Sequence, residues 1–166
     1  MNEYFRILAK LRGGSYKPSG SRVLHAVTGG MVFPAGELIS QSGRLRGEGY
    51  AVIPTAGRRC DKITLVSPDD AVVTEILHSG VLKMRNGNGV MLELHTGIQG
   101  VDWLADIGSK LCCGDVICRI PRGIAKRSRF SGAFAVLFCA PEQITELHIP
   151  SAKRRMGEPA AYYLVR

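Results

Sequence analysis

No apolar run in the chain approaches the ~20 residues that a membrane-spanning helix needs, so no such span is expected. Aromatic residues are scarce at 7%, with a single tryptophan. No RNP, helix-turn-helix or finger pattern occurs, which argues against nucleic acid as a partner. There is no CxxC pair either. Cys60, Cys112, Cys113, Cys118 and Cys139 make an odd set with no secretory apolar region ahead of them. They read as small hydrophobes in a reducing cytoplasm rather than a disulfide frame. Cys112 and Cys113, if on a strand, would face opposite ways, so no metal site is expected there. Acidic residues are also in deficit, 14 against 22 basic ones, for a net charge of +8. The excess is dispersed over Arg58-Arg59, Arg122 with Lys126, Arg127 and Arg129, and Lys153-Arg154-Arg155. A field of that sign attracts phosphates, anionic lipids or an acidic protein.

What the chain does have is turn chemistry. Twenty glycines and eight prolines punctuate many short apolar runs in 166 residues. That pattern predicts one all-β domain, a barrel or sandwich with only short helical pieces. Residues 1–12 place Tyr4, Ile7, Leu8 and Leu11 on one helical stripe beside Arg6 and Lys10, an amphipathic start able to lie on an anionic membrane surface. With the polar linker after it, residues 1–21 form one segment and residues 22–166 the folded body.

Within the body, strands are expected around Arg22–Ala26, Met31–Phe33, Tyr50–Pro54, Ile63–Val66, Ala71–Leu77, Phe134–Cys139 and Ala160–Val165. Helical pieces are expected at Val101–Ile107, Ile120–Arg129 and Pro141–Leu147. A faint echo links His25–Val32 with Leu65–Val73: apolar residues, a turn, then a short β run. A barrel of two related halves would produce it.

The stretch Asn86–Gly100, NGNGVMLELHTGIQG, carries the chemistry. Two Asn-Gly turn signals open it, and Val90–His95 reads as a strand that delivers one imidazole to the surface before Thr96-Gly97. A neutral ring there has one nitrogen free to attack and one free to be held. Glu93 shares a face with His95 if the strand is regular, and could orient the ring. His25 and His148 are read as structural or solvent-facing.

In order along the chain, HAVTGGMV, GEGYAVIP, LVSPDDAVVTEIL, GVMLELHTGI, GSKLCCGDVI and GEPAAYYLVR resemble the glucose-specific IIA phosphocarriers of the bacterial phosphoenolpyruvate:sugar phosphotransferase system. The resemblance implies a β-sandwich of the duplicated hybrid-motif type. It makes His95 the match to the phosphorylated histidine, accepting a phosphoryl group from the carrier HPr and passing it to a IIB permease component, without metal or organic cofactor. It gives Gly97 and Thr96 places in the loop that would orient the ring and cradle the phosphate. It also implies a second histidine, at a position where this chain has Gly80; His78, two residues earlier, is the candidate helper. Glu93 stands where an aromatic of the docking surface is usual, and the basic charge departs from an acidic rim that receives HPr.

Two other readings compete. One is a regulatory or protein-binding module on the same fold that has lost phosphotransfer. The other is a zinc peptidase on a related barrel, but His95-Thr96-Gly97 lacks the HxH pair such a site requires.

Overall fold

The computed structural model describes residues 17, 19–40, 43–44, 47–55 and 61–166. The amphipathic start, Cys60 and the Arg58-Arg59 pair lie outside them. The first half of the body contributes β1 (Arg22–His25), β2 (Gly30–Pro34), β3 (Ile39–Ser40), β4 (Gly43–Arg44) and β5 (Glu48–Pro54). Next come β6 (Lys62–Val66), β7 (Ala71–Leu77), β8 (Val81–Asn86) and β9 (Met91–His95). The remainder is β10 (Lys110–Leu111), β11 (Val116–Pro121), helix α1 (Arg122–Lys126), β12 (Phe134–Phe138), β13 (Ile144–His148), β14 (Ala152–Arg154) and β15 (Pro159–Val165).

The architecture is all-β, as the turn-punctuated composition predicts. An eight-stranded antiparallel sheet runs β10-β7-β8-β9-β12-β5-β2-β14, with a three-stranded sheet β1-β15-β13 and the pairs β11-β6 and β3-β4. The inner face of the large sheet is sealed by Leu82, Met84, Leu92, Leu94, Phe134 and Val136, each fully buried against the smaller sheets. Strict alternation then turns Lys83, Glu93 and His95 to the outer face.

The echo in the sequence is an approximate twofold axis. Read from either end, the large sheet keeps its pattern when β9 exchanges with β12, β8 with β5, β7 with β2 and β10 with β14. The corners before β2 and β7 clasp each other reciprocally: His25 N donates to the Pro68 carbonyl and Val66 N to the Val27 carbonyl, both at 2.9 Å. Two related turns lock them. Ala26 N bonds Glu158 O and Gly157 N bonds Ala26 O, while Ser67 N bonds Asp115 O and Gly114 N bonds Ser67 O. In each turn the acidic side chain accepts the N–H three residues earlier, Glu158 from Arg155 and Asp115 from Cys112.

Three expectations are corrected. Val101–Ile107 is not helical; Leu104 N instead bonds the Ile117 carbonyl and holds the segment along β11. Pro141–Leu147 is helical only over Pro141–Gln143, a 3-10 turn, because Ile144 enters β13 and pairs with β15. Cys112 and Cys113 sit in the exposed turn after β10, not on opposite faces of a strand. The helical reading of Ile120–Arg129 contracts to α1.

Candidate functional site

Asn86 builds the entry to β9. Its side-chain oxygen accepts Asn88 N and Val90 N, both at 3.0 Å, and its amide donates to the Tyr163 hydroxyl at 2.7 Å. The Asn-Gly pairs therefore form a side-chain-capped hairpin pinned to the core, which fixes the register of β9 against its neighbours. In that register His95 lies opposite Val81 on β8 and Ala135 on β12, and Glu93 lies opposite Lys83 and Leu137.

The outer face here carries a polar ladder. His95 Nε2 is 2.8 Å from Glu93 Oε2, the other carboxylate oxygen is 3.5 Å from Lys83 Nζ, and Lys83 is 3.5 Å from Glu75 on β7. The His95 side chain is 18% exposed and that of Glu93 21%. Burial by itself pushes the Glu93 carboxyl up, but the hydrogen bond and charge of His95, the Cys139 thiol and Lys83 outweigh it and hold the group below the usual carboxylate range. Lys83 is raised, chiefly by the negative charge of Glu93. Cys139, an exposed residue just after β12, is pushed up to about 12 by the partial burial of its thiol and then by the charge of Glu93, so it remains a thiol beside the carboxylate.

Beyond β9 the chain makes a tight loop. Thr96 is fully buried; its N–H and its hydroxyl both donate to the Gly80 carbonyl, at 3.0 and 2.8 Å, and Ile98 N returns a 3.2 Å bond to that hydroxyl. Thr96 thus ties the β7–β8 turn to the loop after β9. Gly97 has φ +68 and faces the Phe130 ring so closely that a Cβ would stand 2.8 Å from it. Its carbonyl accepts Arg129 N at 2.9 Å, while its N–H has no acceptor among the described residues. Arg129, with its guanidinium 6.0 Å from the Phe130 ring centre, and the neighbouring Lys126 and Arg127 make the rim on this side basic.

The β7–β8 turn explains the missing second histidine. Gly80 has φ +84, and a Cβ there would fall 1.9 Å from the Ile98 carbonyl oxygen and 2.4 Å from the Thr96 hydroxyl. It belongs to a turn, where the family pattern implies a strand, and the space a side chain would need is filled by the loop after His95. His78 lies in the same turn, exposed, with its carbonyl accepting Gly100 N at 2.9 Å. No hydrogen bond or ion pair joins it to His95 among the described residues. The bulge in β7 falls between Val73 and Glu75 and so precedes His78.

The residues that sequence reasoning missed are Lys83, Glu75 and Cys139. Lys83 alone had a signal, the β8–β9 register that the capped hairpin sets; Glu75 comes in through the β7–β8 pairing and Cys139 follows β12. His25 is half-buried with Nδ1 3.2 Å from the Pro68 carbonyl, and His148 is buried in β13 against Tyr162. Among the described residues no three His, Cys, Asp or Glu side chains gather as a metal-ligand group.

No family model matches the chain, and no curated protein matches it in sequence. In structure it is similar to the glucose permease IIA from Mycoplasma capricolum, with a TM-score of 0.64 at 14% identity, over 87% of this chain and 96% of that one. The likeness is one of fold: the protein has a IIA-like β-sandwich. No helix among the described residues is long and apolar enough to cross a membrane.

Proposed function

We propose that the protein is a IIA-type phosphocarrier that receives a phosphoryl group on His95 from an HPr-like donor and passes it to a IIB permease component. The observation that carries this reading is the partly exposed imidazole at the end of β9, oriented by a charged neighbour and followed by a glycine loop, on a IIA-like fold. Phosphoryl transfer between nitrogens needs little from the acceptor beyond position and charge control, because the transition state is loose and its charge is spread over the oxygens. Gly97 supplies an N–H without an acceptor among the described residues, two positions after His95, and Thr96 fixes the loop that carries it. Gly80 contributes by letting that loop close down, and His78 borders the far end of the loop. The basic rim of Lys126, Arg127 and Arg129 favours a donor with an acidic docking face, the reverse of an acidic IIA rim receiving a basic HPr. In this reading residues 22–166 are the carrier domain, residues 1–21 serve an anionic membrane face, and the protein works in the cytoplasm.

A second reading has its own support. With the space at Gly80 filled, position 80 cannot carry an imidazole beside His95, which favours a regulatory or protein-binding module that has lost efficient transfer. Incubation with phosphoenolpyruvate, enzyme I and HPr, followed by intact-mass measurement at mildly alkaline pH, separates the two. A carrier gains one phosphoryl group, and His95→Ala abolishes the gain; a module gains nothing.

A further inference from the structure

Cysteine is among the residues most often buried, so two exposed ones side by side ask for a reason. Cys112 and Cys113 are both exposed in the turn between β10 and β11. Their backbone is pinned from three sides. Asp115 N bonds the Cys112 carbonyl at 3.0 Å, Cys112 N donates to Asp115 Oδ2 at 2.8 Å, and Cys113 N donates to Asp70 Oδ1 at 2.7 Å. Gly114 takes the positive φ of the turn, +90, and a Cβ there would meet nothing within 4 Å, so the space beside the tip is open. The fold does not ask for sulfur here. The related turn across the twofold axis, Arg155-Met156-Gly157-Glu158, makes the same bonds with arginine and methionine in the two places.

The two thiols do not suit each other as a disulfide either. No peptide among the described residues is cis. Neighbouring Cα atoms lie about 3.8 Å apart across a trans peptide, short of the roughly 4.4–6.8 Å that a disulfide spans. A third atom placed between the two sulfurs lengthens the bridge and relieves the mismatch.

We infer that Cys112 and Cys113 form a dithiol site that chelates trivalent arsenic, as arsenous acid or an organic arsenical. In the step two S–H bonds and two As–O bonds break, two As–S bonds form, and two molecules of water leave, with arsenic trivalent throughout. The ligand is uncharged, which matters at this corner. Burial, then Asp69, Asp70 and Asp115, raise the Cys113 thiol, so the site reacts from its protonated form and its carboxylates repel anionic disulfides such as oxidised glutathione. Among the other described cysteines, Cys118 is buried in the core and Cys139 stands alone beyond β12, beside Glu93. The site shares no residue with the His95 ladder and does not depend on the carrier reading.

The test uses full-length reduced protein, phenylarsine oxide as the probe, and intact-mass measurement after gel filtration. Expected is one arsenical per chain, with two thiols lost to N-ethylmaleimide labelling, released by a small 1,2-dithiol but not by a monothiol at the same concentration. Cys112→Ser and Cys113→Ser should each lose the adduct while keeping the wild-type unfolding midpoint, because the related turn folds without cysteine. Cys60→Ser should keep the adduct. No adduct on the wild-type chain, an adduct that survives either serine variant of the turn, or one lost in Cys60→Ser would overturn the inference. So would a Cys112–Cys113 disulfide that forms readily in air in place of free thiols.

Discussion

The approximate twofold axis between β9 and β12 sets two ladders side by side on the outer face of one sheet. Glu75, Lys83, Glu93 and His95 occupy one half, and the axis carries them onto Phe33, Ala51, Ala135 and Leu137 in the other. The pairing is the same in both apart from the extra residue that the bulge in β7 inserts before Glu75. In the second ladder Ala51, Ala135 and Leu137 are buried and Phe33 partly so, packed with Ala35, Leu38 and Phe130 into a small apolar cluster, whereas the first stays partly open and ion-paired. A duplicated fold therefore offers two equivalent places for a functional side chain. Covering one of them with apolar contacts and leaving the other uncovered is what makes His95 a candidate site and Leu137 a core residue.

The comparison can be broken most forcefully at His95. His95→Leu installs the occupant of the apolar ladder; it should abolish phosphoryl uptake in the intact-mass assay while changing unfolding free energy by no more than about 1 kcal/mol. The converse exchange strikes stability. Leu137→Glu places a carboxylate in the apolar cluster with Phe130 and Leu38, where its cross-strand partners are Gly49 and Glu93 and no cation faces it, and should cost about 3–5 kcal/mol in urea unfolding. A loss under about 1 kcal/mol would mean the two ladders are less different than their burial implies.

Gly80→His sharpens the question of the second imidazole. The positive φ and the Ile98 carbonyl both oppose it, so the variant should lose more than about 1 kcal/mol of stability without raising phosphoryl uptake. Improved uptake with unchanged stability would show that the loop after His95 yields readily.

The smallest effect is electrostatic and depends on pH. Glu93 is held below the usual carboxylate range, so its interactions contribute stability above that range and lose it as pH falls through the depressed folded value. Lys83 is raised, so its share is present at neutral pH and lost as pH climbs through the raised value. The stability difference between wild type and Glu93→Gln should be greatest near neutrality and close on both sides. A gap that widens in acid would contradict the ladder.

Fold class was legible because turn residues and two-residue alternation are local properties. Asn86-Gly87 and Asn88-Gly89 announced a hairpin, and Val90–His95 alternates in a way that only a half-buried strand explains. Val101–Ile107 and Pro141–Leu147 misled, since their apolar spacing suits a single helical turn, but pairing along β11 and with β15 satisfies the same backbone groups. Glu93 was legible as a neighbour of His95, since residues two apart on one strand share a face. Lys83, Glu75 and Cys139 were not: they lie on other strands and reach the site only through register. Gly80 was visible as a departure from a family pattern, yet the physical reason lay in the crossing of two loops.

Alternation and turn chemistry thus determined, from the sequence alone, that the chain is all-β and that His95 ends a strand with Glu93 on its own side. Only the tertiary structure decided that Nε2 is taken, that Lys83 neutralises the carboxylate and that the space at Gly80 is full. Those contacts join residues far apart in the chain, and their existence depends on strand pairing and loop closure that no local pattern encodes.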